Sequence, residues 1–102
     1  MDHREELHNL LRTVLGSDEV YFQPPESVRM KYPAFVYHLD TLPASYADDD
    51  PYKISERYTV TFISRSPIEN TIKSLSFMHG FRFDRFYTAD NLNHYVFTCL
   101  YQ

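Results

Sequence analysis

The chain has 102 residues, of which 43% are hydrophobic and 24% charged, as expected for one globular domain spanning residues 1–102. Its formal net charge of −4 argues against a dedicated nucleic-acid-binding protein, and no apolar run approaches the roughly eighteen residues that predict a membrane span. The single cysteine, Cys99, excludes an internal disulfide framework and fits a reducing compartment.

The first predicted element is an amphipathic helix over residues 2–15. Its apolar side chains recur at the spacing of one helical face, namely Leu7, Leu10, Leu11, Val14 and Leu15. Gly16 follows and supplies the left-handed residue with which many helices end. A short strand over residues 19–23 comes next, and it ends at Pro24-Pro25 because consecutive prolines donate no hydrogen bonds to a ladder.

Two longer strands are predicted next, over residues 34–42 and within Lys53–Pro67. The second organises the chain, because its side chains alternate with the period of a half-buried strand. The apolar face carries Tyr58, Val60 and Phe62, and the polar face Arg57, Thr59 and Thr61. We expect the two strands to pair as an antiparallel hairpin. The intervening residues 43–52 predict an exposed loop, since consecutive aspartates are costly to bury.

A second helix is predicted over residues 67–78, with Ser66 as its cap and an inner face of Ile68, Ile72, Leu75 and Met78. Strands over residues 81–87 and 92–101 close the chain.

In the first closing strand, Phe81, Phe83 and Tyr87 fall in phase and Phe86 falls out of phase, which indicates a bulge or a strand buried on both faces. The order α-β-β-β-α-β-β predicts an α+β fold, in which an antiparallel sheet of about four to five strands is flanked by two helices.

The polar residues predict no catalytic, cofactor-binding or metal-binding site. His38 and His94 both fall on strands and could meet across the sheet, but a zinc site needs further ligands that the spacing does not offer. Asp48, Asp49 and Asp50 lack the alternation and the glycine of a calcium loop. Cys99 falls at the centre of a predicted strand, where a cysteine typically packs in the interior and is unreactive. We therefore expect no enzymatic activity.

The aromatic residues point to a protein partner. Nine tyrosines and eight phenylalanines exceed what a small two-layer domain readily hides. Stacking on single-stranded nucleic acid would call for interleaved lysine and arginine, whereas this chain is acidic. Core packing combined with a protein–protein interface is the favoured interpretation, because aromatic residues are enriched at the centres of interfaces.

Three segments carry a family resemblance: YFQPPESVRMKYPAFVY (Tyr21–Tyr37), RYTVTFISRSP (Arg57–Pro67) and FDRFYTADNLNHYVF (Phe83–Phe97). They resemble segments of the small tail-completion proteins that tailed bacteriophages and prophages encode. With the N-terminal helix they cover most of the chain, and their motifs are structural rather than catalytic. The resemblance implies a tail terminator, a small α+β domain that forms a homo-oligomeric ring, typically a hexamer, on the end of the tail tube.

The resemblance also implies a location and a set of partners. Such a protein is part of the virion tail or neck and is assembled in the cytoplasm of the bacterial host. Its partners are further copies of itself, the tail tube protein and a head-closure or neck protein; it binds no membrane and no specific nucleic acid, and DNA passes through the ring. Ring contacts in this fold use sheet edges and loops, which assigns the following residues to subunit or tube contacts: Asp48, Asp49, Asp50, Pro51, Arg57, Arg65 and Tyr87.

Three alternatives stay open at this point. The nearest is another neck component, such as a head-closure or connector protein. A small monomeric regulatory binding module belongs to a different functional class. An enzyme acting through an aspartate, a histidine or Cys99 is the third.

Overall fold

The computed structural model describes residues 4–25, 27–41, 56–65, 69–76, 78 and 80–101. Its elements follow in this order: α1 (Arg4–Leu15), β1 (Val20–Phe22), β2 (Ala34–Thr41), β3 (Glu56–Ser64), α2 (Glu69–Ser76), β4 (Phe81–Ala89) and β5 (Leu92–Tyr101). The predicted α+β class and the predicted order of elements are confirmed. The predicted cap of the second helix at Ser66 and the predicted loop over residues 43–52 lie outside the described residues.

The five strands form one sheet in the order β1-β2-β3-β5-β4. The predicted antiparallel pairing of β2 with β3 is confirmed, with Tyr37 opposite Val60. β5 pairs antiparallel with both β3 and β4. β1 instead runs parallel to β2, with Val20 opposite Phe35, because the chain between these two strands crosses back before β2 begins. The sheet is therefore mixed, and antiparallel in its four longer strands.

Both helices pack on one face of the sheet. Leu7 and Leu11 of α1 and Leu75 of α2 are completely buried there, as the helical spacing predicts. They meet a cluster of strand side chains that comprises Val20, Phe35, Tyr37, Tyr58, Val60, Phe62, Phe97 and Cys99. Burial of each large apolar side chain in such a cluster contributes about 1.5–3 kcal/mol. The core therefore lies between α1, α2 and the central strands β2, β3 and β5.

Two glycines have positive φ angles, Gly16 at the end of α1 and Gly80 four residues after α2 ends at Ser76. Gly16 has a φ of 79°, and its N–H donates to the carbonyl of Arg12 at 2.8 Å, which closes α1 as predicted. Gly80 has a φ of 89° at the start of β4, where an added Cβ would lie 3.1 Å from the Leu100 carbonyl oxygen. No helix among the described residues is long and apolar enough to cross a membrane.

The contact between α1 and the sheet includes one polar pair. The His8 Nδ1 atom lies 2.8 Å from the hydroxyl of Tyr37, and the two rings meet edge to face with centroids 5.7 Å apart. Burial lowers the pKa of His8 from its ordinary value of 6.5, and the neighbouring charges of Arg12 and Arg4 lower it further. The folded protein therefore favours neutral His8.

We expect acid to weaken the fold before its carboxylates titrate. Because the pKa of His8 is lower in the folded chain than in the unfolded chain, its contribution is complete above pH 6.5 and is lost as the pH falls below that value. Urea unfolding at about pH 7.5 and about pH 5.5 measures the loss. In His8→Gln, which gains no proton, most of the loss should disappear; an equal loss in both proteins would contradict this assignment.

Candidate protein-binding edge

The outermost strand, β4, is exposed along nearly its whole length. Three aromatic side chains lie open on it, with exposed fractions of 47% for Phe83, 49% for Phe86 and 41% for Tyr87. No described strand pairs with its outer side. A long edge strand that exposes aromatic rings is a typical site for docking another chain, because its backbone groups also offer hydrogen bonds.

A β-bulge at Asp84 determines where these side chains point. Phe83 lies opposite Phe97, whereas Arg85, two residues later, lies opposite Val96, so that Asp84 is an extra residue in β4. Phe97 belongs to the core cluster and Val96 does not, since Val96 lies on the other face of β5. The bulge predicted as one explanation of the irregular phase is thus confirmed.

The bulge changes the faces of the residues that follow it. Phe86 lies opposite Tyr95, which packs against the core, so Phe86 shares the helix-bearing face with Phe83. Tyr87 lies opposite His94 and takes the other face. The predicted phasing of Tyr87 with Phe83 is therefore wrong, because one inserted residue reverses the alternation of the rest of the strand.

Each exposed ring of β4 is held by a ring of β5. The centroid separations are 5.4 Å for Phe83–Phe97, 4.9 Å for Phe86–Tyr95 and 4.6 Å for the stacked pair Tyr87–His94. The guanidinium carbon of Arg85 also lies 5.9 Å from the centre of the Tyr87 ring. Side chains fixed in this way lose little conformational entropy on binding, so the edge is preorganised for a partner.

The opposite edge of the sheet offers much less. β1 contains three residues, Val20–Phe22, and the chain leaves it at Gln23, whose φ is 44°. The Gln23 side-chain oxygen accepts from the backbone N–H of Leu39 at 3.2 Å, and so occupies a donor of β2 beyond the end of β1. Pro24 and Pro25 follow. β4 is therefore the longer and the more exposed of the two edges.

The three predicted contact residues that the structure describes, Arg57, Arg65 and Tyr87, do not form one cluster. Arg57 pairs with Asp40 across β3 and β2, with 3.3 Å between Nε and Oδ2. Arg65 lies beyond the other end of β3, about 26 Å away along the strand, with its guanidinium carbon 5.7 Å from the centre of the Tyr32 ring. Tyr87 lies on β4.

The predicted contacts in the loop, Asp48, Asp49, Asp50 and Pro51, lie outside the described residues. Phe83 and Phe86 are exposed rings that the sequence interpretation did not include among the contacts. The signal for them in the sequence is the irregular spacing of apolar residues over 81–87. This spacing reflects the bulge, which places Phe83 and Phe86 on one face of an edge strand.

The two histidines that could have met across the sheet lie apart. His38 is in register with Thr59 and His94 with Ile63, which separates them by about 13 Å along β3, so the expectation that they could meet is wrong. The described residues include no group of three potential metal ligands. Burial raises the pKa of Cys99 to about 12, which keeps its thiol protonated and unreactive at neutral pH.

No protein-family model and no curated protein matches the chain. Its role is therefore inferred from its own residues and from the geometry of β4.

Proposed function

We propose that this chain is a non-enzymatic structural protein of a phage virion, a tail terminator or tail-completion protein. In this role it forms a homo-oligomeric ring, typically a hexamer, that caps the tail tube and helps join the tail to the head. The observation that carries the proposal is the exposed aromatic edge of β4, with Phe83, Phe86 and Tyr87. The resemblance to tail-completion proteins supports the assignment to a phage. It is carried by the segments Tyr21–Tyr37, Arg57–Pro67 and Phe83–Phe97.

The geometry of the chain suits assembly by many weak contacts. In the proposed role, one copy alone is held weakly. Copies arranged on the symmetric end of a tube engage several contacts at once, and the raised effective concentration converts weak contacts into stable binding. A completed ring covers the surface to which the next tube subunit would add, and tube growth stops.

The charge of the chain suits the same role. A formal net charge of −4 gives no general attraction for the phosphate backbone. DNA could therefore pass through the ring without being retained by it. The other proposed partners are the tail tube protein and a head-closure or neck protein.

Deletion of the gene from the phage that encodes it tests the role. We expect tails of irregular length, or tails without heads, in negative-stain electron micrographs, because uncapped tubes continue to grow or present no surface to the neck. Supply of the intact gene on a plasmid should restore tails of uniform length. Tails of normal length joined to filled heads in the deletion strain would rule out the proposed function.

The position of the protein in the virion separates the proposal from its nearest alternative. An epitope tag followed by immunogold labelling should mark the junction on its tube side. Labelling against the portal would favour a head-closure or connector protein instead. Particles that carry no label at all would favour the monomeric regulatory module.

A further inference from the structure

The backbone of β4 presents a defined set of hydrogen-bonding groups at its open side. The N–H of Leu100 donates to the carbonyl of Gly80 at 3.0 Å, so the groups of Gly80 point toward β5. Hydrogen-bonding direction alternates along an antiparallel strand, so both backbone groups of Phe83 point to the open side, as does the carbonyl of Phe81. The N–H of Phe81 already donates to the carbonyl of Met78 at 3.2 Å.

The same reasoning applies after the bulge. Asp90 and Asn91 have φ values of 54° and 62° and form a two-residue hairpin turn, which makes Ala89–Leu92 the closing hydrogen-bonded pair. Counting back from Ala89, the groups of Thr88 and Phe86 point to the open side. The open side thus carries one set of donors and acceptors before Asp84 and a second set after it.

We propose that two copies of the free chain pair through β4, antiparallel about a two-fold axis that lies between Asp84 and Arg85. In this register Phe83 of each copy lies opposite Phe86 of the other, and Phe81 lies opposite Thr88. Phe83, Phe86 and Thr88 direct both backbone groups to the open side, and Phe81 directs its carbonyl there. The two strands can therefore form hydrogen bonds on both sides of the paired bulges.

The bulge is what allows this register. Phe83 and Phe86 are three residues apart and would take opposite faces of a regular strand. With Asp84 inserted they share the helix-bearing face, so the phenylalanines of the two copies meet on that face. Arg82 and Tyr87 likewise share the other face, since they lie opposite Thr98 and His94. On each face of the paired strands, the residues that lie opposite each other across the axis therefore project to the same side.

The side chains of β4 are chemically complementary to themselves in this register. Asp84 of one copy lies opposite Arg85 of the second copy, so opposite charges meet twice across the axis. Arg82 lies opposite Tyr87 of the second copy, an arrangement that permits a cation–π contact. Pairing covers Phe83 and Phe86, which are 47% and 49% exposed in the single chain.

The nearest other registers are poorer. A shift by two residues matches open-side groups in fewer pairs. In one direction it also places Arg82 opposite Arg85 of the second copy, and like charges directly opposite each other destabilise a strand pair. A shift in the opposite direction moves Phe83 away from Phe86 of the second copy and shortens the paired segment. The charge pattern thus specifies the central register.

The pair goes beyond the proposed ring. Neighbours in a cyclic ring are related head to tail and have no two-fold axis between them. A ring that uses β4 can therefore form only after the pair opens. Pairing covers an exposed edge strand that would otherwise be prone to non-specific association, until the chain meets its assembly partner.

Charge reversal tests the pair in solution. Light scattering of the wild-type chain at micromolar concentration should give twice the monomer mass of 12.2 kDa. Asp84→Arg and Arg85→Asp should each weaken dimerisation at least about tenfold, because each places like charges across the axis. The double variant carrying both changes should return to within about threefold of wild type, because it restores both opposite-charge pairs.

Lys73→Glu, a charge reversal on the exposed surface of α2, is the matched control and should leave dimerisation unchanged. Circular dichroism checks that every variant is folded. A wild-type chain that is monomeric at all concentrations overturns the proposal. A double variant that stays as weak as the single variants also overturns it.

Cysteine cross-linking tests the register. Arg82 and Tyr87 would form a non-hydrogen-bonded pair across the axis, with Cα atoms about 4.5 Å apart, within disulfide reach. Within one strand they are about 16 Å apart and cannot be bridged. Arg82→Cys combined with Tyr87→Cys should therefore form covalent dimers on mild oxidation, and so should a mixture of the two single variants.

Neither single variant should cross-link by itself, and buried Cys99 provides no competing site. Covalent dimers of Arg82→Cys alone, or none in the double variant, would show another arrangement and overturn the proposed register. These measurements use the purified chain, so their failure is distinct from failure of the tail phenotype, which is scored in the phage.

Discussion

Replacement of Phe62 by alanine should lower the free energy of unfolding by about 3–5 kcal/mol. Phe62 is completely buried on β3, the strand between β2 and β5. Its ring packs against Phe35, with centroids 5.1 Å apart, and against Tyr95 at 6.2 Å. Removal of the ring therefore leaves a cavity bordered by three strands. Since a domain of this size is stable by about 5–15 kcal/mol, the variant should approach the limit of folding.

Urea unfolding followed by circular dichroism measures the loss, and Phe86→Ala is the control. The same chemical change at Phe86, which is 49% exposed on the edge strand, should cost no more than about 1 kcal/mol. Equal losses for the two variants would mean that the ring of Phe86 contributes to the core as much as that of Phe62, contrary to the structure.

The second large effect is expected on assembly rather than on folding. Phe83→Ser combined with Phe86→Ser removes both exposed rings from the helix-bearing face of β4. Stability should change by no more than about 1–2 kcal/mol, because both side chains are roughly half exposed. Under the proposed function, the variant should nevertheless fail to complement the gene deletion, with infectious particles reduced at least about a hundredfold. The loss at each contact would be multiplied over all copies in the proposed ring.

Leu39→Ser provides the comparison for this experiment, because Leu39 is also an exposed large apolar residue (36%) but lies on β2. It should complement the deletion normally. Full complementation by the double variant of Phe83 and Phe86 would exclude β4 as the assembly surface. A variant that no longer pairs in solution but still completes tails would separate the free pair from the function in the virion.

The elements with strong local periodicity could be predicted from the sequence. The stripe of α1 and the alternation of Tyr58, Val60 and Phe62 each follow from a few neighbouring residues, and burial confirms both. The pairing of β2 with β3 also followed from their order along the chain. The parallel direction of β1 did not, because the direction of a short strand depends on how the chain crosses back to β2.

The candidate edge was predicted only in part, because one residue decides its geometry. The sequence indicated an irregularity in β4 but could not show that Asp84 is the extra residue, since this depends on pairing with β5. Phe83 and Phe86 were therefore missed as a shared surface. Tyr87, which the sequence interpretation assigned to subunit or tube contacts, is 41% exposed. The ion pair of Arg57 with Asp40 likewise depends on the register between two strands, which single-strand patterns do not encode.

The abrupt end of β1 has a consequence for the size of any aggregate. Two sheets joined through β4 would leave β1 and the end of β2 beyond it at each outer margin. There the short β1 gives way to Gln23, whose side chain already accepts from the N–H of Leu39, and then to Pro24 and Pro25. Proline has no N–H to offer an incoming strand, so a third molecule finds almost no template there. Edge-to-edge growth of the sheets should therefore stop at two molecules.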